Sequence, residues 1–389
     1  MDNMIYLDNS ATTKICDEAL KKYNEVSTGF FGNPSSLHKM GFDAEKLLSD
    51  ARGEILRSLS ARAHKVIFTA SGSEANNLAI IGRAFAKERY RKGKKIITSE
   101  GEHASINEPL MRLEKEGYKV VKIPTKGGKI DIERLQDELD DSVILVTMMM
   151  VNNETGAIYD VAKVAKLTHS RAPEALVHLD ATQSYMKLPI SLSSLPADMI
   201  TISSHKIEGP KGVGALVVTD KVLTSKGLSP LILGGGQEGG MRSGTENVPA
   251  LAAFGEAVRV YSAERESRYL TVCDISEYLL NRLSALLPEI SASLPEARAG
   301  HIVNITLPKI RSETMLHFLS SRGIFVSSGS ACSSNDVAHR SSALIAFGRS
   351  EAEADSSLRI SLSYRNTKEE IDALISALGE GLARLQRMK

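Results

Sequence analysis

The chain has 389 residues, with 48 Lys and Arg against 47 Asp and Glu, a net charge of +1 when its nine histidines are neutral. That length predicts about two or three domains and an ample core. No like-charge block is long enough for a nucleic-acid arm or a membrane-binding face, so direct nucleic-acid binding is not expected, although a local basic patch stays compatible with the composition.

The start, Met1 to Tyr6, has neither the basic region nor the apolar stretch of a signal peptide. Strand and helix patterns alternate from about Lys65. Lys65 to Thr69 reads as a strand leading to a helix from Glu74, and Lys95 to Ser99 as a strand leading to a helix near Ile106 to Glu116. Strands at Lys119 to Ile123 and Val143 to Val151 follow, then a helix near Val161 to Arg171. The apolar run near Val143 is far short of the roughly 20 residues of a membrane span and suits a central strand. Leu176 to Asp180, Met199 to Lys206 and Gly214 to Thr219 complete a βαβ rhythm, which predicts a mainly parallel sheet covered by helices. After the Gly-rich stretch Gly234 to Gly244, a helical segment from about Val248 to Leu287 is expected to break near its middle. Strands at Ile302 to Thr306, Gly323 to Val326 and Leu358 to Leu362 read as a smaller α+β domain. The expected division is residues 14–250 for the large α/β domain, with 1–13 and 251–389 forming the small C-terminal one.

Two apolar runs end in a charge, Asp180 and Lys206. Each falls where a buried strand meets the carboxyl edge of the sheet, the edge at which open α/β sheets bind ligands. A lysine able to form a Schiff base, with a carboxylate to hold a protonated pyridine nitrogen, is what pyridoxal phosphate requires of its host. Taken singly, strand-end charges of this kind are mostly solvated. The turn Ala70-Ser-Gly-Ser-Glu74 opens a helix and offers backbone N–H groups as an anion site, or serves only as a cap. Gly72 would allow close approach, and Ser73, Ser203 and His205 could add donors. His103 also follows a strand, where it can stack on a flat ring, shuttle protons or simply meet solvent. Asn152 and Asn153 could bond a ring oxygen or a substrate group, or form an Asx turn.

Gly234-Gly-Gly-Gln-Glu-Gly239 matches the dinucleotide fingerprint formally, but no βαβ unit surrounds it, so a loop is the better reading. Cys16, Cys273 and Cys332 show no CxxC spacing, so disulfides and zinc are not expected, and the cytoplasm is the expected compartment. Cys332 lies among small polar residues, which suits either an accessible nucleophile or an incidental loop thiol.

Eight segments, in order, resemble the cysteine desulfurases of the NifS/IscS type, class V aminotransferase-like enzymes. They are Tyr6-Leu-Asp-Asn-Ser-Ala-Thr-Thr13, Gly32-Asn-Pro-Ser-Ser36, Glu102-His103, Val151-Asn-Asn-Glu-Thr-Gly156, Asp180-Ala-Thr-Gln183, Ser203-Ser-His-Lys206, Arg242-Ser-Gly-Thr-Glu-Asn247 and Ser327-Ser-Gly-Ser-Ala-Cys332. The resemblance implies the fold-type I architecture of pyridoxal 5'-phosphate (PLP) enzymes and a homodimer. It implies that Lys206 tethers the cofactor, Asp180 meets the pyridine nitrogen, Gln183 the ring oxygen, and His103 the ring face. Gly72, Ser73, Ser203 and His205 would hold the phosphate, with Thr245 contributed by a partner subunit. Asn153 and Arg359 would receive the carboxylate of L-cysteine, and Cys332, on the small domain, would accept the sulfur. The persulfide would pass to an iron–sulfur scaffold or a tRNA thiolation enzyme. A selenocysteine lyase or an aminotransferase of the same fold is the alternative. Glu208 and Tyr185-Met186 depart from the usual pattern near the lysine and are expected to tune rate. The chain ends at Lys389 without the tail some members use to dock a scaffold, so the resemblance leaves the acceptor open.

Overall fold

The computed structural model describes residues 4–86, 93–328 and 341–385. Among them a seven-stranded sheet runs in the order His64–Thr69, Gly214–Thr219, Met199–Ser203, Leu176–Asp180, Val143–Met149, Lys95–Ser99, Lys119–Ile123. Only Gly214–Thr219 runs against its neighbours. The central strand Val143–Met149 is buried along its whole length. Helices cover both faces, so near-continuous apolar strands such as this one have no wet side. The parallel strands share one carboxyl edge, and Ser99, Met149, Asp180 and Ser203 all end there.

A four-stranded antiparallel sheet, Ser327–Ser328, Ser357–Ser361, Ile302–Thr306 and Ser291–Ser293, anchors a second core. The N-terminal segment joins it: Ile5–Tyr6 pairs with Ile324–Phe325, and Leu7 packs in its core.

The helix Val248–Leu286 is continuous over 39 residues, correcting the expected break. No proline follows Pro249 within it, and Gly255 is a point of close packing, where a Cβ would come within 2.7 Å of Ala51. The apparent break is a change of partner. Val248, Leu251, Phe254 and Val258 bury against the large core, whereas Val272, Ile275, Leu279 and Leu283 bury in the small one. Between them the exposed polar stretch reads as a gap in the periodicity although the backbone never stops.

Candidate active site

A cavity of about 380 Å³ opens at the carboxyl edge of the large sheet. Gly72, Ser73, His103, Asn153, Asp180, Gln183, Ser203, His205, Lys206 and Arg359 all line it. Thr245 is exposed and lies instead in a separate groove with Ala70, Arg242 and Glu246. Cys332 lies outside the described residues.

Lys206 follows the strand Met199–Ser203 on a single short turn. Its Nζ donates to the carbonyls of Ser10 and Ala11, so the N-terminal segment forms one wall of the site. Asp180 is buried; its Oδ1 accepts from the Thr182 amide at 2.8 Å and its Oδ2 from Asn76 Nδ2 at 2.8 Å. These two donors fix the orientation of the carboxylate. Asn76 was missed in the sequence because a lone helical asparagine carries no motif. Its one signal is a position one turn into the helix that opens at Gly72.

That helix, Gly72–Ala84, is capped by Ser71, whose hydroxyl accepts from the Glu74 amide at 3.1 Å. The cap leaves the first-turn N–H groups of Gly72 and Ser73 facing the cavity, with the positive end of the helix dipole behind them. A Cβ at Gly72 would stand 3.2 Å from Thr182 Oγ1, so a glycine keeps this cradle open. Ser203 Oγ is buried beside it with no partner. Burial and the nearby Lys206 and Lys211 push the His205 imidazole down to about 4, so it is neutral at pH 7. Buried donors without partners are costly, and a phosphate would satisfy them. The residues present therefore fit PLP: an anion cradle, a pyridine-facing carboxylate and an amine share one cavity.

The two asparagines divide the alternatives. Asn152 forms the Asx turn, its Oδ1 accepting from the Glu154 and Thr155 amides at 3.0 and 2.9 Å. Asn153 lines the cavity. Arg359 reaches in from the small sheet, with Nη1 donating to the Asn153 carbonyl at 3.0 Å and Nη2 to Asp8 at 2.9 Å. Its buried Nε has no partner. A substrate carboxylate would complete that guanidinium.

Tyr185 is buried, its hydroxyl 2.8 Å from Ser58 Oγ, while Met186 adopts φ 63° and lines a cavity of about 30 Å³ behind Lys206. Lys187 lines the same cavity, and among the described residues its ammonium donates to Gln183 Oε1 at 3.4 Å. Burial, then Lys206 and Arg359, lower its pKa from 10.5 to about 7. Between those values the unfolded chain binds the extra proton, so this residue's contribution to stability rises with pH across that window and is lowest below it. Lys187→Met is therefore expected to stabilise by a few kcal/mol at pH 7, with the gain vanishing near pH 10.5. Thermal unfolding at the two pH values checks this; an equal gain at both would contradict it.

The aminotransferase class-V family model matches residues 5–374. A cysteine desulfurase IscS of Pasteurella multocida is 39% identical over 388 residues, 99% of this chain and 94% of that protein. A cysteine desulfurase IscS 1 of Archaeoglobus fulgidus is 36% identical over 99% of this chain and 98% of its own length. The chain belongs to the cysteine desulfurases of the aminotransferase class-V family. A solved NifS-like protein superposes with a TM-score of 0.89 at 31% identity, covering 98% of this chain and 99% of the other. The fold is thus the α/β fold-type I architecture of PLP enzymes, and PLP is the cofactor of this family. No described helix is long and apolar enough to cross a membrane.

Proposed function

We propose that this chain removes sulfur from L-cysteine, releasing L-alanine and leaving a persulfide on Cys332 for an acceptor protein. The observation that carries the reading is the convergence of Lys206, Asp180 and an open helix N-terminus in one cavity with Arg359, a guanidinium supplied by the other core. The family relationship supports the same reaction.

The family pattern assigns the roles, and the shared cavity supports them. Asp180 would hold the pyridine nitrogen and Gln183 the ring oxygen, His103 would cover the ring, and Gly72, Ser73, Ser203 and His205 would hold the phosphate. PLP, when bound, supplies the electron sink that makes the substrate Cα–H acidic. Lys206 Nζ is the base that takes that proton. Arg359 and Asn153 orient the substrate carboxylate, and the Asp8 carboxylate holds Arg359 in place. Burial holds the His103 imidazole below its ordinary value, so a neutral ring stands ready to give or take a proton. We read the chain as two domains, residues 14–250 and 1–13 with 251–389, the site lying where they meet.

Exposed Phe31, Leu37, Phe42 and Leu233 support a homodimer, as does the exposure of Thr245, which in this reading serves the partner's phosphate. Iron–sulfur assembly and tRNA thiolation both suit a cytoplasmic sulfur donor.

The test is L-cysteine turnover by the purified protein. Equimolar alanine and sulfide under a thiol reductant are expected, and keto acid in place of alanine would point to an aminotransferase. Cys332→Ala should keep the yellow colour and lose at least about 100-fold in sulfide release, the scale of losing a catalytic nucleophile. Wild-type sulfide release by that variant would remove Cys332 from the reaction.

A further inference from the structure

We infer that Asn76 and Ser105 are positioning residues that fix the tautomer of His103, so that its proton stays on Nε2. This rests on the reading of the cavity as the desulfurase site.

The hydrogen bonds have one consistent direction. The Ser105 backbone N–H donates to His103 Nδ1 at 3.1 Å, and a backbone amide has no alternative role. Nδ1 is therefore an acceptor, and a neutral imidazole must carry its proton on Nε2. The Ser105 hydroxyl lies 2.8 Å from the same nitrogen and completes its shell. That hydroxyl is itself oriented: Asn76 Nδ2 donates to Ser105 Oγ at 2.9 Å, which turns the Ser105 O–H toward the ring.

The Asn76 amide is set in turn by Asp180, an acceptor when ionised, which takes the other Nδ2 proton at 2.8 Å. Both protons of that nitrogen are thereby used, and the buried Asn76 Oδ1 is left unpartnered. A flipped amide would give that oxygen contacts but aim it at a carboxylate, so the flip is excluded. The chain runs Asp180, Asn76, Ser105, His103 and links the pyridine-facing carboxylate to the ring-covering imidazole. Among the described residues, the charged groups that act on His103 are Asp180, Lys206 and Arg359, and no carboxylate there stands within hydrogen-bonding distance to favour a second proton on it.

The consequence is directional. A proton on Nε2 sits on the ring edge away from Ser105, where the cavity can use it. A proton on Nδ1 would be spent against a fixed amide donor. Weakening the shell of Nδ1 mixes the tautomers and lowers the fraction of productive enzyme without altering the substrate-carboxylate contacts at Arg359.

The experiment uses holoenzyme labelled with ¹⁵N-histidine, with His103→Gln as the assignment blank. Nitrogen shifts of a neutral His103 with Nε2 protonated are expected in the wild type, and a protonated Nδ1 would overturn the proposal without any further variant. Ser105→Ala should move the Nδ1 shift, lower kcat about tenfold and change KM for L-cysteine by less than about twofold. Ser105→Thr, which keeps the hydroxyl, should restore both. Unchanged nitrogen shifts and kcat in folded Ser105→Ala would equally overturn it. Failure of the wild type to form alanine would sink the functional reading while leaving the tautomer result standing.

Discussion

Lys206→Ala is expected to purify without visible colour after dialysis and to lose about three to four orders of magnitude in alanine formation. The amine occupies the end of a short turn at the carboxyl edge of a buried strand, held against the Ser10 and Ala11 carbonyls. No other lysine of the cavity stands in for it. Lys187 approaches from the rear cavity and bonds Gln183, on the wrong side of that amide. Lys211 lies beyond the Gly209-Pro210 turn and does not line the cavity. Absorbance and alanine release, measured on the same preparation, check the expectation. Retained colour that resists dialysis, together with measurable turnover, would relocate the tether to another amine.

Glu208→Gln is expected to destabilise the protein by about 3 kcal/mol, the scale of breaking a buried ion pair from one side. Glu208 is buried and adopts φ 62°, a left-handed conformation that disfavours any side chain there. Its carboxylate repays that strain. Arg365 donates from Nε at 2.9 Å, Tyr364 from its hydroxyl at 3.0 Å, and Arg268 from Nη1 at 3.3 Å. Arg268 comes from the long helix and the other two from the segment after the strand Ser357–Ser361, so one side chain two residues past Lys206 ties three parts of the chain. The backbone joins in: its amide donates to Thr13 Oγ1 and its carbonyl accepts from the Cys16 amide. Glutamine keeps the shape but leaves two guanidinium groups without their shared countercharge. Arg268 retains Glu264, which limits the loss. Glu208→Gly should destabilise as well, even though it relieves the backbone, because the three donors lose their acceptor. Denaturant unfolding of both variants decides the matter; a more stable glycine variant would show that strain outweighs the network.

The strand ends were legible because parallel strands buried on both faces must read as apolar runs, and a charge at the end of such a run has only the carboxyl edge to occupy. Asp180 and Lys206 were visible in this way, and the Ser71–Ser73 turn was visible because a small-residue turn opening a helix leaves amides free. Asn76, Ser105 and Lys187 were not. Each is an ordinary polar residue on or beside a helix, and its role depends on which element the fold lays against it. The continuity of Val248–Leu286 was hidden for a related reason: its apolar face changes partner midway, so the period breaks where the helix does not.

The amino-acid order alone determined the strand–helix rhythm, the sheet edge that would carry the site, and the motif residues that mark the family. Those properties depend on period, turn chemistry and local spacing, all of which act over a few neighbouring residues. Tertiary structure decided which distant residues meet: Arg359 beside Asn153 and Asp8, Glu208 beneath three donors, and Asn76 between Asp180 and Ser105. Such contacts span from tens to hundreds of positions, and only the packing of two cores around one long helix brings their partners within hydrogen-bonding distance.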